Sequence, residues 1–126
     1  MEILITEDGF QTRDFLGAVL NRKFKVSVIK AKDGGQAISL IKNHQPDLLI
    51  LDMTMPVKTG FDVLKEIESN NYTFPVLVIS GYYFSKEEVV NTAGVNGEHI
   101  YFLKKPFTSE EIIEEIKKII IVPEKK

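Results

Sequence analysis

Residues 48–52 read Leu48-Leu49-Ile50-Leu51-Asp52: four aliphatic side chains in succession, then a carboxylate. Successive side chains of a strand point to opposite faces, so a run without polar alternation reads as a strand covered on both sides. Such strands belong to parallel sheets lying between layers of helices. Val76-Leu77-Val78-Ile79-Ser80 repeats the pattern, with a hydroxyl in the last place. Three more short runs rich in Ile, Val and Leu, at residues 3–6, 25–31 and 100–103, are bounded by polar, Gly or Pro residues. They are too short for helices and read as strands.

The segments between these runs carry helical spacing. Residues 10–23 place Phe15, Leu16, Val19 and Leu20 on one stripe, and residues 35–44 do the same with Ala37, Ile38 and Ile41. Residues 61–69 carry Phe61, Leu64 and Ile67; residues 110–121 carry Ile112, Ile113, Ile116, Ile119 and Ile120. Asp33 with Gln36, and Thr108 with Glu111, stand at capping-box spacing. A short helix is expected over residues 86–92, capped by Ser85 and Glu88 and running into a loop with Gly94 and Gly97. Strand and helix alternate five times, which predicts an α/β fold with a parallel sheet and helices on both faces. Pro123 closes the last helix, so the reading is one domain over residues 1–122 and a short tail over 123–126, with no output domain expected in this stretch.

Composition narrows the function classes. The chain of 126 residues is 44% hydrophobic and 27% charged, with a net charge of −2. Nothing in that balance calls for nucleic acid or a membrane surface. There is no cysteine, which excludes disulfides and thiolate metal sites. No apolar run reaches the roughly 18–20 residues of a membrane span, and the acidic start MEILITEDG does not read as a signal peptide. The expectation is a cytoplasmic protein.

In open parallel sheets, sites lie beyond the carboxyl ends of the strands, where the strand order reverses. Glu7 and Asp8 follow the first strand, Asp52 ends the third, Ser80 the fourth, and Lys104 and Lys105 follow the fifth. Three carboxylates in one pocket repel each other, and a hard divalent cation such as Mg²⁺ relieves that repulsion. The same cation polarises phosphoryl oxygens, so that a carboxylate can attack a phosphate donor. Lys105 supplies a point charge for a phosphoryl oxygen and Ser80 a hydroxyl for another, which together suit phosphoryl transfer.

These residues carry a resemblance. With Glu7-Asp8, Asp52-Met53-Thr54-Met55-Pro56, Gly60, Ser80 and Lys105-Pro106-Phe107 in order, the chain resembles from end to end the receiver domain of two-component response regulators. The resemblance implies a flavodoxin-like (βα)5 three-layer sandwich with strand order 2-1-3-4-5. It implies that Asp52 is the phosphoacceptor, that Glu7, Asp8, Asp52 and the backbone carbonyl of Thr54 organise Mg²⁺, and that Lys105 pairs with the phosphoryl group. Ser80 would be the switch hydroxyl, and Phe102, three positions before Lys105, stands where the family keeps a switch aromatic. Thr54 and Tyr82 fall where residues flank the path of the hydrolytic water and tune the phosphoryl lifetime. The implied partners are a sensor histidine kinase or histidine phosphotransfer protein and a downstream protein, with the chain a monomer or a phosphorylation-dependent dimer. The sequence departs from the commoner pattern in its Glu-Asp rather than Asp-Asp pair, in Ser80 for Thr, in Gly81 for Ala, and through residues 81–101, which leaves the fourth helix open.

Plainer readings stand beside these. Glu7 and Asp8 also suit the start of a helix, Asp52 a turn, Ser80 and Phe102 simple packing, and Lys104 a solvated side chain; His44 and His99 read as surface residues. A phosphatase of the haloacid dehalogenase type would need an acid at position 54, which is Thr54. A flavin site would need an anion-binding loop where Glu7 and Asp8 stand. A receiver-like interaction module working without phosphate is the remaining alternative to a non-enzymatic signalling phosphoacceptor.

Overall fold

The structure is a computed structural model that describes residues 1–53, 59–83 and 85–126. Strands and helices alternate throughout: β1 Glu2–Thr6, α1 Phe10–Lys23, β2 Ser27–Ala31, α2 Gly34–Asn43, β3 Leu48–Asp52, α3 Gly60–Ser69, β4 Val76–Ser80, α4 Lys86–Ala93, β5 Ile100–Lys104 and α5 Ser109–Ile119. All pairings within the sheet are parallel and the strand order is 2-1-3-4-5, the flavodoxin-like arrangement. The order reverses between β1 and β3, which sets the site beyond their carboxyl ends.

Every residue of β3 and β4 is buried, as their unbroken apolar runs require. The sheet separates two cores. Ile3, Ile5, Leu48, Ile50, Leu77 and Ile79 face α1 and α5 through Leu16, Leu20, Ile112 and Ile116. Leu4, Leu49, Leu51, Val76 and Val78 face α2, α3 and α4 through Ala37, Ile41, Val63, Leu64 and Val89. Each such side chain contributes about 1.5–3 kcal/mol by leaving water, so these two layers fix the positions of the strand ends.

Several boundaries differ from the sequence expectation. Phe15 was expected in the buried stripe of α1, yet it is 41% exposed. The inward face is centred one position on, at Leu16, Gly17, Val19 and Leu20, because the stem of Lys30 lies directly over Gly17. A hydrophobic pattern cannot register a glycine that admits a neighbour's methylenes. The strand expected from residue 25 begins at Ser27, and Phe24, fully buried, instead forms an isolated bridge to Glu124. That bridge also ends α5 at Ile119 rather than at 121. The chain leaves the helix at Ile120 so that Lys25 N–H can donate to the Pro123 carbonyl and Lys125 N–H to that of Lys23, at 2.8 Å each. Ile121 is left 93% exposed. The Asp33 side chain caps α2 by accepting from Gln36 N–H, but the Gln36 side chain in turn accepts from Lys32 N–H, one residue before a capping box would place the donor. The box at Thr108 and Glu111 is complete.

Candidate functional site

Each strand delivers its polar residue because its apolar residues are locked between the helix layers. β1 delivers Glu7 and Asp8. The Glu7 N–H donates to the Ala31 carbonyl at 3.1 Å, which carries the ladder one residue past the strand. Glu7 is buried and Asp8 is exposed. β3 delivers Asp52, 4% exposed. Immediately beyond it, Gly60 opens α3 so close to the strand end that a Cβ there would lie 2.7 Å from the Asp52 carbonyl oxygen and the Met53 Cα. Only glycine allows that approach. β5 delivers Lys105, whose N–H donates to the Ser80 carbonyl at 2.8 Å.

Three carboxylates and one ammonium meet there. Carboxylate oxygens of Glu7, Asp8 and Asp52 all lie within 4.8 Å of one another. Lys105 Nζ is 2.6 Å from Glu7 Oε1 and 3.5 Å from Asp52 Oδ1. Burial pushes the Glu7 carboxyl up, but its contacts with Asp52 and the Lys105 ammonium outweigh this and hold it below its ordinary value. Burial pushes Lys105 down, and Glu7 and Asp52 more than offset it, so the ammonium titrates above its ordinary range. The donor set is all oxygen and partly solvent-facing, which fits Mg²⁺ keeping several of its waters.

Of the expected site residues, Glu7, Asp8, Asp52 and Lys105 are brought together. Thr54 lies outside the described residues. Ser80 ends β4 at the same edge, 1% exposed, and its Oγ accepts the N–H groups of Tyr82 and Tyr83 at 3.1 and 3.0 Å. Phe102 is half-buried and packs against the core under α2, α3 and α4. Tyr82 is 71% exposed and meets Tyr83 edge-on, with ring centroids 5.0 Å apart; Tyr83 meets Phe61 of α3 in the same way at 5.4 Å. Lys104, expected as a solvated lysine, is half-buried and donates to the Gly81 carbonyl. His44 and His99 are both exposed and stand apart from the carboxylate group.

One residue escaped the sequence reading. Arg13 Nη1 donates to the backbone carbonyls of Glu7 at 2.8 Å and Asp8 at 3.2 Å, bracing the loop that carries both acids. The available signal was a cation one turn into α1, directly after an acid pair.

Comparison with known proteins agrees with this geometry. The sequence matches the response regulator receiver domain over residues 3–117. Response regulator MprA of Mycobacterium sp. (strain KMS) is 31% identical over 120 residues, 95% of this chain and 50% of MprA. Transcriptional regulatory protein PdtaR of Mycobacterium tuberculosis is 35% identical over 114 residues, 90% of this chain and 54% of PdtaR. The chain thus spans about half the length of the curated relatives it matches. In fold it is similar to the chemotaxis protein CheY4 of Vibrio cholerae, with a TM-score of 0.80 at 24% identity over 94% of this chain and 98% of that one.

Proposed function

The chain belongs to the response regulator receiver domain family, and from that premise we propose that Asp52 accepts a phosphoryl group from the phosphohistidine of a sensor histidine kinase or histidine phosphotransfer protein. A receiver domain is a signalling phosphoacceptor rather than an enzyme. The carrying observation is the position of buried Asp52 at the end of β3, between Lys105 and the acid pair of β1. A carboxylate oxygen of Asp52 attacks phosphorus, the phosphorus–nitrogen bond breaks, and the histidine leaves carrying a proton. Mg²⁺, held by Glu7, Asp8, Asp52 and the Thr54 carbonyl, would neutralise charge on the phosphoryl oxygens. Lys105 turns from Glu7 toward a phosphoryl oxygen.

Ser80 completes the switch. A hydroxyl has one proton to donate and two lone pairs to accept with, and both N–H bonds from Tyr82 and Tyr83 use the acceptor side. Its proton is therefore available for a phosphoryl oxygen, and a shift of Ser80 carries the attached loop with it. Phe102 then turns inward, and the surface formed by α4, β5 and α5 changes for a downstream protein or a second copy. Thr54 and Tyr82 set the lifetime; with Tyr82 so exposed, it acts as a lid only where the loop swings over the phosphoryl group, and Tyr82→Ala would then speed decay of phospho-Asp52. The working unit is residues 1–122 with the segment 123–126 as a docked tail. Among the described residues no helix is long and apolar enough to cross a membrane, and we place the protein in the cytoplasm.

The test is incubation with Mg²⁺ and acetyl phosphate followed by intact-mass measurement. Wild type gains one phosphoryl group. Asp52→Asn, nearly isosteric but not nucleophilic, keeps its fold and gains none; labelling of the mutant at the wild-type rate overturns the assignment. Wild type that never labels supports the phosphate-independent interaction module instead.

A further inference from the structure

The amino ends of the strands carry a second concavity, at the edge opposite the acid pocket. It holds about 220 Å³. Leu64 and Ile67 of α3, Val76 at the start of β4 and Ile100 at the start of β5 floor it. One wall is the Tyr72 ring, stacked on Phe74 at 5.9 Å with an interplanar angle of 28°. The other is the loop between α4 and β5.

The cleft is preformed. Glu68 Oε2 accepts the Asn96 N–H at 2.6 Å, tying α3 to the loop across the opening. The Asn96 side chain accepts the Glu98 N–H at 2.8 Å and so fixes the loop itself. Two carboxylates dominate its electrostatics, with His99 the one titratable base in the lining among the described residues. Glu68 and Glu98 stand on the rim, no lysine or arginine lines it among the described residues, and α3 ends beside it at Ser69. The carboxyl end of a helix carries partial negative charge.

We propose that this cleft binds a small organic cation: an amine, amidine or guanidine on a flat apolar body. The volume admits roughly seven to eleven non-hydrogen atoms at about 20–30 Å³ each. The apolar body covers Ile67 and Ile100 and lies against the Tyr72 ring, whose face also attracts positive charge. The cationic head meets Glu98 and the free side of Glu68. The charge complementarity excludes anions, and the polar rim distinguishes a cation from its neutral isostere.

Benzamidine has the required size, shape and charge; benzamide is its neutral counterpart and benzoate its anionic one. The full chain, labelled with nitrogen-15, is titrated with each while amide shifts are followed. Saturable shifts at Asn71, Tyr72, Asn96, Glu98 and His99 with benzamidine, at a Kd of about 1 mM or tighter, and binding of both controls at least about tenfold weaker, are expected. Glu98→Gln, which changes an exposed side chain and keeps the backbone N–H bonded to Asn96, weakens benzamidine about fivefold and leaves benzamide unchanged, while the remaining spectrum stays that of the folded protein. Equal binding of benzamide, absence of saturation, or shifts confined to Glu7, Asp8 and Asp52 would overturn the proposal. None of these readouts depends on phosphorylation of Asp52.

Discussion

The pairing of Glu7 with Lys105 sets the resting charge of the site. A glutamate at this position reaches the ammonium at 2.6 Å, closer than Asp52 at 3.5 Å. Lys105→Met therefore takes the Lys105 ammonium away from buried Glu7 and Asp52. The expected cost at pH 7 is about 1–3 kcal/mol, the penalty for stranding a buried polar group, read from urea denaturation. The sign with pH follows from the two shifts. Glu7 titrates below 4.5 when folded, so its stabilisation is present above that value and is lost as pH falls through its folded pKa. Lys105 titrates above 10.5, so its contribution is present below that value and is lost as pH rises through its folded pKa. The mutant should lie farthest below wild type between about pH 5 and 10 and converge with it in acid. Mg²⁺ should raise the mutant's midpoint more than that of wild type, because it replaces the missing charge; an equal rise in both would place the metal elsewhere. The acids and Lys105 were legible in the sequence because each follows a strand whose apolar run is unmistakable. Arg13 was not, because it binds backbone carbonyls, which leave no residue-type pattern.

Among the helices, α4 is the shortest. It is eight residues long, buries only Val89 and Ala93, and ends at Gly94 with φ of +69°, a left-handed conformation that glycine adopts without strain. Its amides should exchange with solvent faster than those of β3 and β4, whose residues are all buried; equal protection would count against α4 as the mobile part of the switch. At the start of α3, Gly60→Ala forces a Cβ to within 2.7 Å of backbone atoms. It should cost about 1–3 kcal/mol in thermal or urea denaturation, the usual penalty for overpacking, whereas Thr108→Ala should cost only about 1 kcal/mol for the lost cap of α5. Where sequence boundaries erred, long-range partners decided. The end of α5 is set by Phe24 and Lys25, about a hundred residues away in the chain, through the bridge to Glu124, and no local periodicity encodes that.

At the scale of the molecule, the sheet is a partition. Leu16 and Ile112 belong to one core and Val63 and Leu64 to the other, with the buried strands between them. Leu16→Ala and Leu64→Ala should each cost about 2–5 kcal/mol, and the double mutant's loss should equal their sum within about 0.5 kcal/mol; a larger discrepancy in denaturation would mean that the strands transmit packing changes from face to face. The sheet also has a length. β4 runs from the Tyr72 cleft at Val76 to the acid pocket at Ser80, four steps of a strand's rise, or about 13 Å. That is about one and a half Debye lengths at physiological ionic strength, and a Debye length governs only charges that face solvent. A charge gained at buried Asp52 therefore reaches Glu98 partly through the sheet, where mobile ions do not screen it, alongside any displacement of α4 and its loop. Phosphorylation should then tighten cation binding at the cleft, and added salt should bring the two affinities closer together without making them equal.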